Sequence, residues 1–182
     1  MVEAIKENHE IELLLIQNYF DQVGSNEELD RVFCQMLATK KQGYLTMHES
    51  RFLPVNTYDF FSIHILLIDK LSKETILTAK IVTYFDCEFF HIKFPLLDME
   101  GVFNPSEMQE VNEIISSRVK DGHNISYSGG WTINPKFKGL GMSPLLRDIY
   151  TGIHYQVHQY FNLHTMMGFG APKVGSLEFF KK

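Results

Sequence analysis

The sequence lacks the features that mark several common classes of protein. No run approaches the roughly 18 uninterrupted apolar residues of a membrane span, and the N-terminal residues lack the basic-then-apolar layout of a secretion signal. Only two cysteines occur, Cys34 and Cys87, and they form no CxxC pair. We therefore expect reduced thiols in the core rather than zinc ligands or a redox disulfide. We also expect a cytoplasmic protein with no membrane span.

A surplus of basic residues is absent as well. The 17 Lys and Arg residues against 22 Asp and Glu residues give a net charge of -5, whereas DNA binding needs a basic face, so we expect no nucleic-acid partner. The chain has 182 residues, 13% of them aromatic, and no repeat or low-complexity segment. This composition is typical of one folded domain over residues 1–182 rather than of a disordered tail.

Residue patterns in the first half predict a strand, a helix and a group of strands. Residues 10–17 alternate and then turn fully apolar, which favours a buried first strand and leaves a short helix open. A capping-box pattern before an apolar stripe predicts a helix over residues 26–40. Three β-rich runs follow, at residues 60–69, 75–85 and 87–94, and they predict an antiparallel meander.

The second half predicts a helix opened at residues 104–106 and closed by Gly122. Residues 125–134 are typical of a strand, in which Gly129 and Gly130 indicate a bulge or a close backbone approach. The remaining expected elements are a long helix from Pro144, a strand at residues 164–170 and a final helix at residues 171–182. This order predicts an α/β domain of the α+β type, with a mixed, mostly antiparallel central sheet flanked by helices.

The most informative segment is residues 131–146 (WTINPKFKGLGMSPLL), where a strand runs through a glycine-containing turn into a helix. The first turn of a helix carries unpaired N–H groups and partial positive charge, so this turn is suited to phosphate. Gly139 and Gly141 would let the backbone approach a ligand, and Lys136 and Lys138 add positive charge. Neither GxxxxGK[ST] nor GxGxxG is present. A plain strand-to-helix connection with solvated lysines remains the alternative.

The run NPKFKGLGMS at residues 134–143 resembles the signature of the GCN5-related N-acetyltransferases, in which a proline ends the central strand before an Arg/Gln-x-x-Gly-x-Gly/Ala turn. Lys138 falls on the Arg/Gln slot, Gly141 on the middle glycine and Ser143 on the last small residue, so two of the three slots are conservative departures. The resemblance in motif continues to the end of the chain. Upstream it holds only in the order of strands and helices.

The resemblance implies an acyl-CoA N-acyltransferase fold that uses acetyl-CoA or a longer acyl-CoA as co-substrate, with no metal. Backbone amides of residues 139–143 would hold the pyrophosphate, and the pantetheine arm would lie between the strand ending at Asn134 and the strand at residues 165–170. The acceptor would be a small-molecule or peptide amine. The cofactor-binding residues implied are Thr132, Ile133, Asn134, Lys138, Gly139, Leu140, Gly141, Met142 and Ser143.

The catalytic residues depart from the family pattern. Acyl transfer needs an amine held beside a thioester, a base for the amine and an acid for the leaving thiolate. The slot that often holds a glutamate base is Tyr127, and Tyr127, His123 and Glu113 are the candidate substitutes, each with a purely structural role as the alternative. The slot of the family's frequent tyrosine acid falls at Phe179 or Phe180. Phenylalanine donates no proton.

Two further groups of residues have a functional and a structural interpretation. His154 and His158 lie four residues apart on the long helix, but HExxH is absent and no third ligand follows, which favours histidines at the flank of the core over a metal site. The aromatic residues Tyr84, Phe85, Phe89 and Phe90 would line a substrate pocket or simply build core.

Two alternative functions stay open. The aromatic content and the helical insertion at residues 106–120 leave room for an acyl carrier protein as donor, as in the related N-acyl amino acid and autoinducer synthases. Phenylalanine at the acid position and the missing glutamate favour a non-catalytic acyl-CoA binder or interaction module.

The end of the sequence also departs from the family. There, the helix equivalent to residues 171–182 is followed by two further strands that cover the strand at residues 165–170. The fold would thus lack its last strands: either the sequence is a truncated piece of a longer protein, which we favour, or a second copy covers that edge in a homodimer.

Overall fold

Five strands form one mixed sheet in the computed structural model, which describes residues 10–45, 55–99, 102–138 and 143–168. The strands lie in chain order, the first four antiparallel and the last pair parallel. Their bounds are β1 (Ile11–Gln17), β2 (Ile63–Asp69), β3 (Thr75–Thr83), β4 (Ile125–Ile133) and β5 (Thr165–Gly168). The predicted α+β architecture with a mostly antiparallel central sheet is thereby confirmed.

Helices flank this sheet in the described residues. They are α1 (Glu27–Leu45), the single turn α2 (Tyr58–Phe61), α3 (Tyr84–Phe89), α4 (Pro105–Lys120) and α5 (Ser143–Tyr160), with short 3₁₀ turns at Tyr19–Asp21, Pro95–Asp98 and Pro135–Phe137. The predicted start of α4 is confirmed in detail: the Asn104 side chain accepts from the N–H of Glu107, whose carboxylate accepts from the N–H of Asn104. None of the helices in the described ranges is long and apolar enough to cross a membrane.

The alternation of side chains along the strands assigns the helices to opposite sides of the sheet. Ile63, Ile65 and Leu67 of β2 pack in one buried cluster with Leu146, Tyr150 and Val157 of α5. On the other side, Leu66 and Ile68 pack with Val32, Phe33 and Met36 of α1, and Val82 and Ile125 pack with Ile115 of α4. The sheet is therefore the middle layer of three.

A β-bulge interrupts β4 where Gly129 and Gly130 were expected to produce one. The pairing partners jump from Lys80 with Gly129 to Thr78 with Thr132, and Gly130 has φ of +66°. The extra residue shifts the alternation of side chains along β4 by one position. Trp131 and Ile133 therefore face α5, where both pack against the core. Thr132 points to the α1 side, and a Cβ built on Gly43 would lie 2.1 Å from its Cγ2. Glycine thus allows α1 to cross β4 closely.

Three expectations in the first half are wrong. Helix α1 extends to Leu45, beyond the predicted end at residue 40, because its last turns pack on β4. Residues 87–94 form no strand: the Thr83 side chain accepts the Asp86 N–H at 3.0 Å and starts α3, after which the chain turns. Cys34 is exposed rather than in the core, whereas Cys87 is buried.

The first and last strands fit their predictions less fully. β1 forms as expected, but Leu13 and Leu15 stay 45% and 38% exposed because β1 lies at one edge of the described sheet. β5 begins at Thr165 and pairs in parallel with β4 through Gly168. The helix predicted at residues 171–182 lies outside the described residues.

Candidate functional site beside strand β4

A cavity of about 510 Å³ opens between α1, α2 and the sheet, on the side away from α5. This volume lies in the range of small-molecule sites in proteins. The described residues that line it come from five segments and are Lys40, Tyr44, Val55, Asn56, Tyr58, Lys80, Pro95, Asp98, Met99, Tyr127 and Gly130. Two lysines lie among three tyrosine rings in this lining, which combines polar and apolar surface.

Two lysines meet one carboxylate at the base of this cavity. The Lys40 Nζ and Lys80 Nζ both donate to Asp59 Oδ1, the latter at 3.1 Å, and Lys80 also donates to Asn56 Oδ1 at 2.9 Å. Asp59 Oδ2 accepts the Asn56 N–H at 2.9 Å. Lys40, Lys80 and Asp59 are only 2%, 7% and 0% exposed. Charged side chains at this depth are rare unless they are paired.

Burial and charge within this triad shift the pKa values of Lys80 and Asp59. Desolvation and the like charge of Lys40 lower the pKa of Lys80 to about 8, although Asp59 acts in the opposite direction. Burial by itself would raise the pKa of Asp59, but Lys80 and Lys40 outweigh it and hold this pKa below its ordinary value. Lys80 is therefore a cation at neutral pH that loses its proton unusually easily.

Tyr127 is the candidate catalytic residue that lines the cavity. A Cβ on Gly129 would lie 2.7 Å from its ring and one on Gly130 3.3 Å from the Lys80 side chain, so the bulge glycines give both side chains room. Burial, followed by the field of Tyr44, raises the pKa of Tyr127. The phenol is therefore protonated at neutral pH and suits proton donation rather than the role of base.

The other two candidate catalytic residues lie elsewhere. His123, in the turn between α4 and β4, stacks on His164 with ring centroids 4.9 Å apart. Glu113 is exposed on α4, where its carboxylate accepts from Gln109 Nε2 at 2.8 Å. Neither belongs to the described lining of the cavity, so the geometry brings only Tyr127 of the three to this site.

Of the implied cofactor-binding residues, those on β4 have structural contacts. Thr132 is buried against α1 and Ile133 packs on the α5 side. Asn134 ties the end of β4 to β3, since its Nδ2 donates to the Thr75 carbonyl at 3.0 Å and its Oδ1 accepts the Lys136 N–H. These contacts fix the position at which the chain leaves the sheet.

The glycine turn itself is only partly described. Gly139, Leu140, Gly141 and Met142 lie outside the described residues, and Ser143 is the first residue of α5. Lys138 is exposed. Lys136 forms an ion pair with Glu74, so the local positive charge that the sequence indicated is partly neutralised.

The α5 side of β4 carries a second group of buried and partly buried polar side chains, in which His154 and His158 contact serines that the sequence did not lead us to expect. Ser128 Oγ lies 2.9 Å from His154 Nε2 and 3.2 Å from the Tyr150 hydroxyl. Ser126 Oγ lies 3.2 Å from His158 Nε2. The sequence contained a signal for this group. Serines two residues apart share one face of a strand, and histidines four residues apart share one face of a helix.

These histidine contacts fit the structural interpretation of the His154 and His158 pair. Burial, and then the neighbouring His158, lower the pKa of His154 to about 4, and burial lowers that of His158. Within the described ranges, no group of three or more His, Cys, Asp or Glu side chains could hold a metal ion.

The predicted aromatic cluster does not line the cavity described above. Phe85 and Phe89 are 47% and 77% exposed, while Tyr84 and Phe90 pack against the cluster around α4. Tyr84, Phe85 and Phe89 belong to α3 rather than to a strand, and Phe90 follows the end of this helix, so the four rings do not share one face.

Comparison with known proteins leaves the family open: no protein-family model matches the chain, and no curated protein matches it in sequence.

Proposed function

We propose that this protein is an N-acyltransferase that moves an acyl group from an acyl-CoA to an amine. The observation that carries the proposal is the β4–α5–β5 unit. β4 is antiparallel to β3 but parallel to β5, and α5 connects the parallel pair. Ligands of such units bind at the carboxyl ends of the strands, where a helix N-terminus favours phosphate.

The proposed donor site lies at the carboxyl end of β4. Pairing with β5 extends over Ile125–Ser128 in the described residues, and the second half of β4 continues past it to Ile133. The chain then runs through the glycine turn into α5, in the order that the resemblance to GCN5-related N-acetyltransferases implies. The backbone of this turn and the first turn of α5 would bind the pyrophosphate.

The proposed acceptor site is the cavity on the other side of β4. Its wall includes Tyr127 and Gly130 of the same strand that leads to the donor site. The amine nitrogen would attack the thioester carbonyl, forming the C–N bond as the C–S bond breaks; the proton that the nitrogen loses would pass to water, and the leaving thiolate would take up a proton. Tyr127 lines the cavity and is protonated at neutral pH, so in this proposal it would donate that proton. Positioning of the two substrates would supply much of the rate.

The first test is release of free thiol from acetyl-CoA and from longer acyl-CoA, measured with a panel of amines. Amine-dependent thiol release supports the proposal. Binding of CoA in calorimetry without thiol release with any amine would instead identify a non-catalytic binder. Thiol release from an acylated carrier protein but not from acyl-CoA would identify the carrier protein, rather than CoA, as the donor of the acyl group. Absence of both binding and release would overturn the proposal.

The placement of the donor is tested by Gly141→Val. If the turn binds pyrophosphate as the resemblance implies, a branched side chain would occupy the phosphate position and abolish CoA binding. Gly152→Val, on α5 with nothing within 4 Å of its Cβ position, is the matched control. An unchanged CoA affinity of folded Gly141→Val in calorimetry would refute this placement.

A further inference from the structure

The cavity beside β4 has an imbalance of buried charge. Lys40 and Lys80 bring two ammonium groups to a single buried carboxylate, Asp59. Lys80 has three N–H donors, and its described hydrogen bonds to Asn56 and Asp59 use two of them. Within this triad one positive charge has no buried counterpart.

The other acid of the described lining does not remove this imbalance. Asp98 is exposed at the mouth of the cavity, where its Oδ2 accepts from the Tyr58 hydroxyl at 3.3 Å. Solvent screens a carboxylate in this position. Two ammonium groups that share one carboxylate in the interior are costly, and the lowered pKa of Lys80 is consistent with that cost, which the Tyr58 ring, 5.7 Å from Lys80 Nζ, offsets only in part. An anion that entered the cavity would relieve it.

The rest of the lining defines the body of such an anion. Tyrosine rings and apolar side chains surround the lysines: Tyr44, Val55, Tyr58, Pro95, Met99 and Tyr127. Rings and apolar walls favour a ligand with an aromatic or aliphatic body. The surplus amounts to one charge, so a singly charged carboxylate matches it better than a phosphate ester, which carries nearly two charges at neutral pH.

We propose that this cavity binds a small monocarboxylate with an apolar or aromatic body, with the carboxylate on Lys80 Nζ and the body among the tyrosine rings. The proposal rests on the cavity alone and does not depend on acyl transfer; if the same cavity receives the acceptor, that acceptor would be an amine that also carries the carboxylate. Binding of such acids without thiol release would support this site and refute the proposed function. Thiol release without binding of such acids would support the proposed function and refute this site.

The test uses pairs of ligands that differ only in charge. Calorimetry with the full chain compares 3-phenylpropanoate and hexanoate with 3-phenylpropanamide and hexanamide. We expect at least one acid to bind about tenfold or more tightly than its amide, since hydrogen bonds to charged partners are the stronger ones. If no acid binds more tightly than its amide, the proposal is overturned, whatever any variant does.

Lys80→Met then tests the position of the carboxylate. We expect this variant to remove the preference for acid over amide. Lys70→Met is the matched control, because Lys70 is an exposed lysine in the β2–β3 turn that pairs with Glu10 and does not line the cavity. A full acid preference in folded Lys80→Met would place the carboxylate elsewhere and refute the assignment. If Lys80→Met does not fold, the pH dependence of the wild-type protein decides the position.

This pH dependence follows from the state of Lys80. The acid should bind well at about pH 7 and more weakly at about pH 9, above the pKa of Lys80 near 8, whereas the amide should not change. The other titratable groups around Lys80 are Lys40, Tyr44, Tyr58, Asp59, His64, Asp98 and Tyr127. Burial raises the pKa of the three tyrosines and lowers that of His64, and the lysines lower that of Asp59, so these five do not titrate in this interval. An acid affinity that stays constant across it would exclude Lys80 as the anchor.

Discussion

The two sides of β4 bury polar side chains in different ways. Towards α5, Ser126 and Ser128 contact His158, His154 and a tyrosine hydroxyl, and burial lowers the pKa of both histidines so that the group is neutral. Towards α1 and α2, two lysines converge on Asp59, and Lys80, whose pKa is lowered to about 8, remains charged at neutral pH. The second side opens into a cavity of about 510 Å³.

The comparison distinguishes polar groups that are satisfied within the core from charged groups that are suited to binding a ligand. Neutral hydroxyl and imidazole groups satisfy one another and need no further partner. Charged groups in unequal number leave a residual field, and such a field in a cavity is typical of binding sites. We test first the charged side, then the close packing of α1 on β4 with an exposed glycine of α5 for comparison, and finally the neutral side.

The largest effect is expected for Asp59→Asn. The change leaves two buried ammonium groups without their carboxylate, and breaking a buried ion pair from one side costs about 3–5 kcal/mol. The free energy of unfolding, measured with urea at neutral pH, should fall by that amount. Asp98→Asn, at the exposed mouth of the same cavity, is the control and should change it by less than about 0.5 kcal/mol. Equal effects of the two variants would mean that the triad is not held as described.

The sequence predicts elements whose determinants lie close together in the chain. The helix start at residues 104–106, the glycine pair in β4 and the apolar stripe of α5 were all readable for this reason. The failure at residues 87–94 has a physical cause. Aromatic residues there favour a strand by propensity, but the cap at Thr83 and the packing of Cys87 and Phe94 against α4 decide for a short helix and a turn.

The charged site was out of reach for the opposite reason. Asp59 lies 19 residues from Lys40 and 21 from Lys80, and no spacing rule joins three separate elements. One local signal was available and missed: Lys80 stands alone within an apolar β-rich run, and a lysine in the middle of a buried strand requires a partner. Tyr127 was reached only through the family resemblance, which placed it in the slot of a base.

An intermediate effect is expected from the glycines of the two helices that cover β4. Gly43→Ala on α1 would place a methyl group 2.1 Å from Thr132 Cγ2, and overpacking of this kind costs about 1–3 kcal/mol. Gly152→Ala on α5 meets nothing within 4 Å and should stabilise by up to about 1 kcal/mol through helix propensity. Urea unfolding compares them.

The clash at Gly43 can be separated from other causes by a second substitution. Thr132→Ser removes the Cγ2 atom that the new methyl group would meet, so Gly43→Ala combined with Thr132→Ser should recover most of the stability that Gly43→Ala alone loses. A double variant whose stability is the simple sum of the two single effects would show that the close crossing of α1 over β4 is not the cause.

The smallest effect concerns the neutral side and appears only in acid. The pKa of His154 is lowered from its ordinary value near 6.5 to about 4, first by burial and then by His158, so between these values the unfolded chain binds a proton that the folded chain does not. Stability due to this group is complete above about pH 6.5 and is lost as the pH falls towards 4. From about pH 7 to about pH 5.5 the loss should be about 1 kcal/mol. His154→Gln should therefore lose about 1 kcal/mol less than the wild-type protein over this interval in urea unfolding.

His91→Asn is the control, because His91 is exposed in a left-handed turn that asparagine tolerates, and its acid loss should equal that of the wild type. If His154→Gln has the wild-type acid loss, His154 is charged inside the fold, and the contrast between a neutral and a charged side of β4 fails.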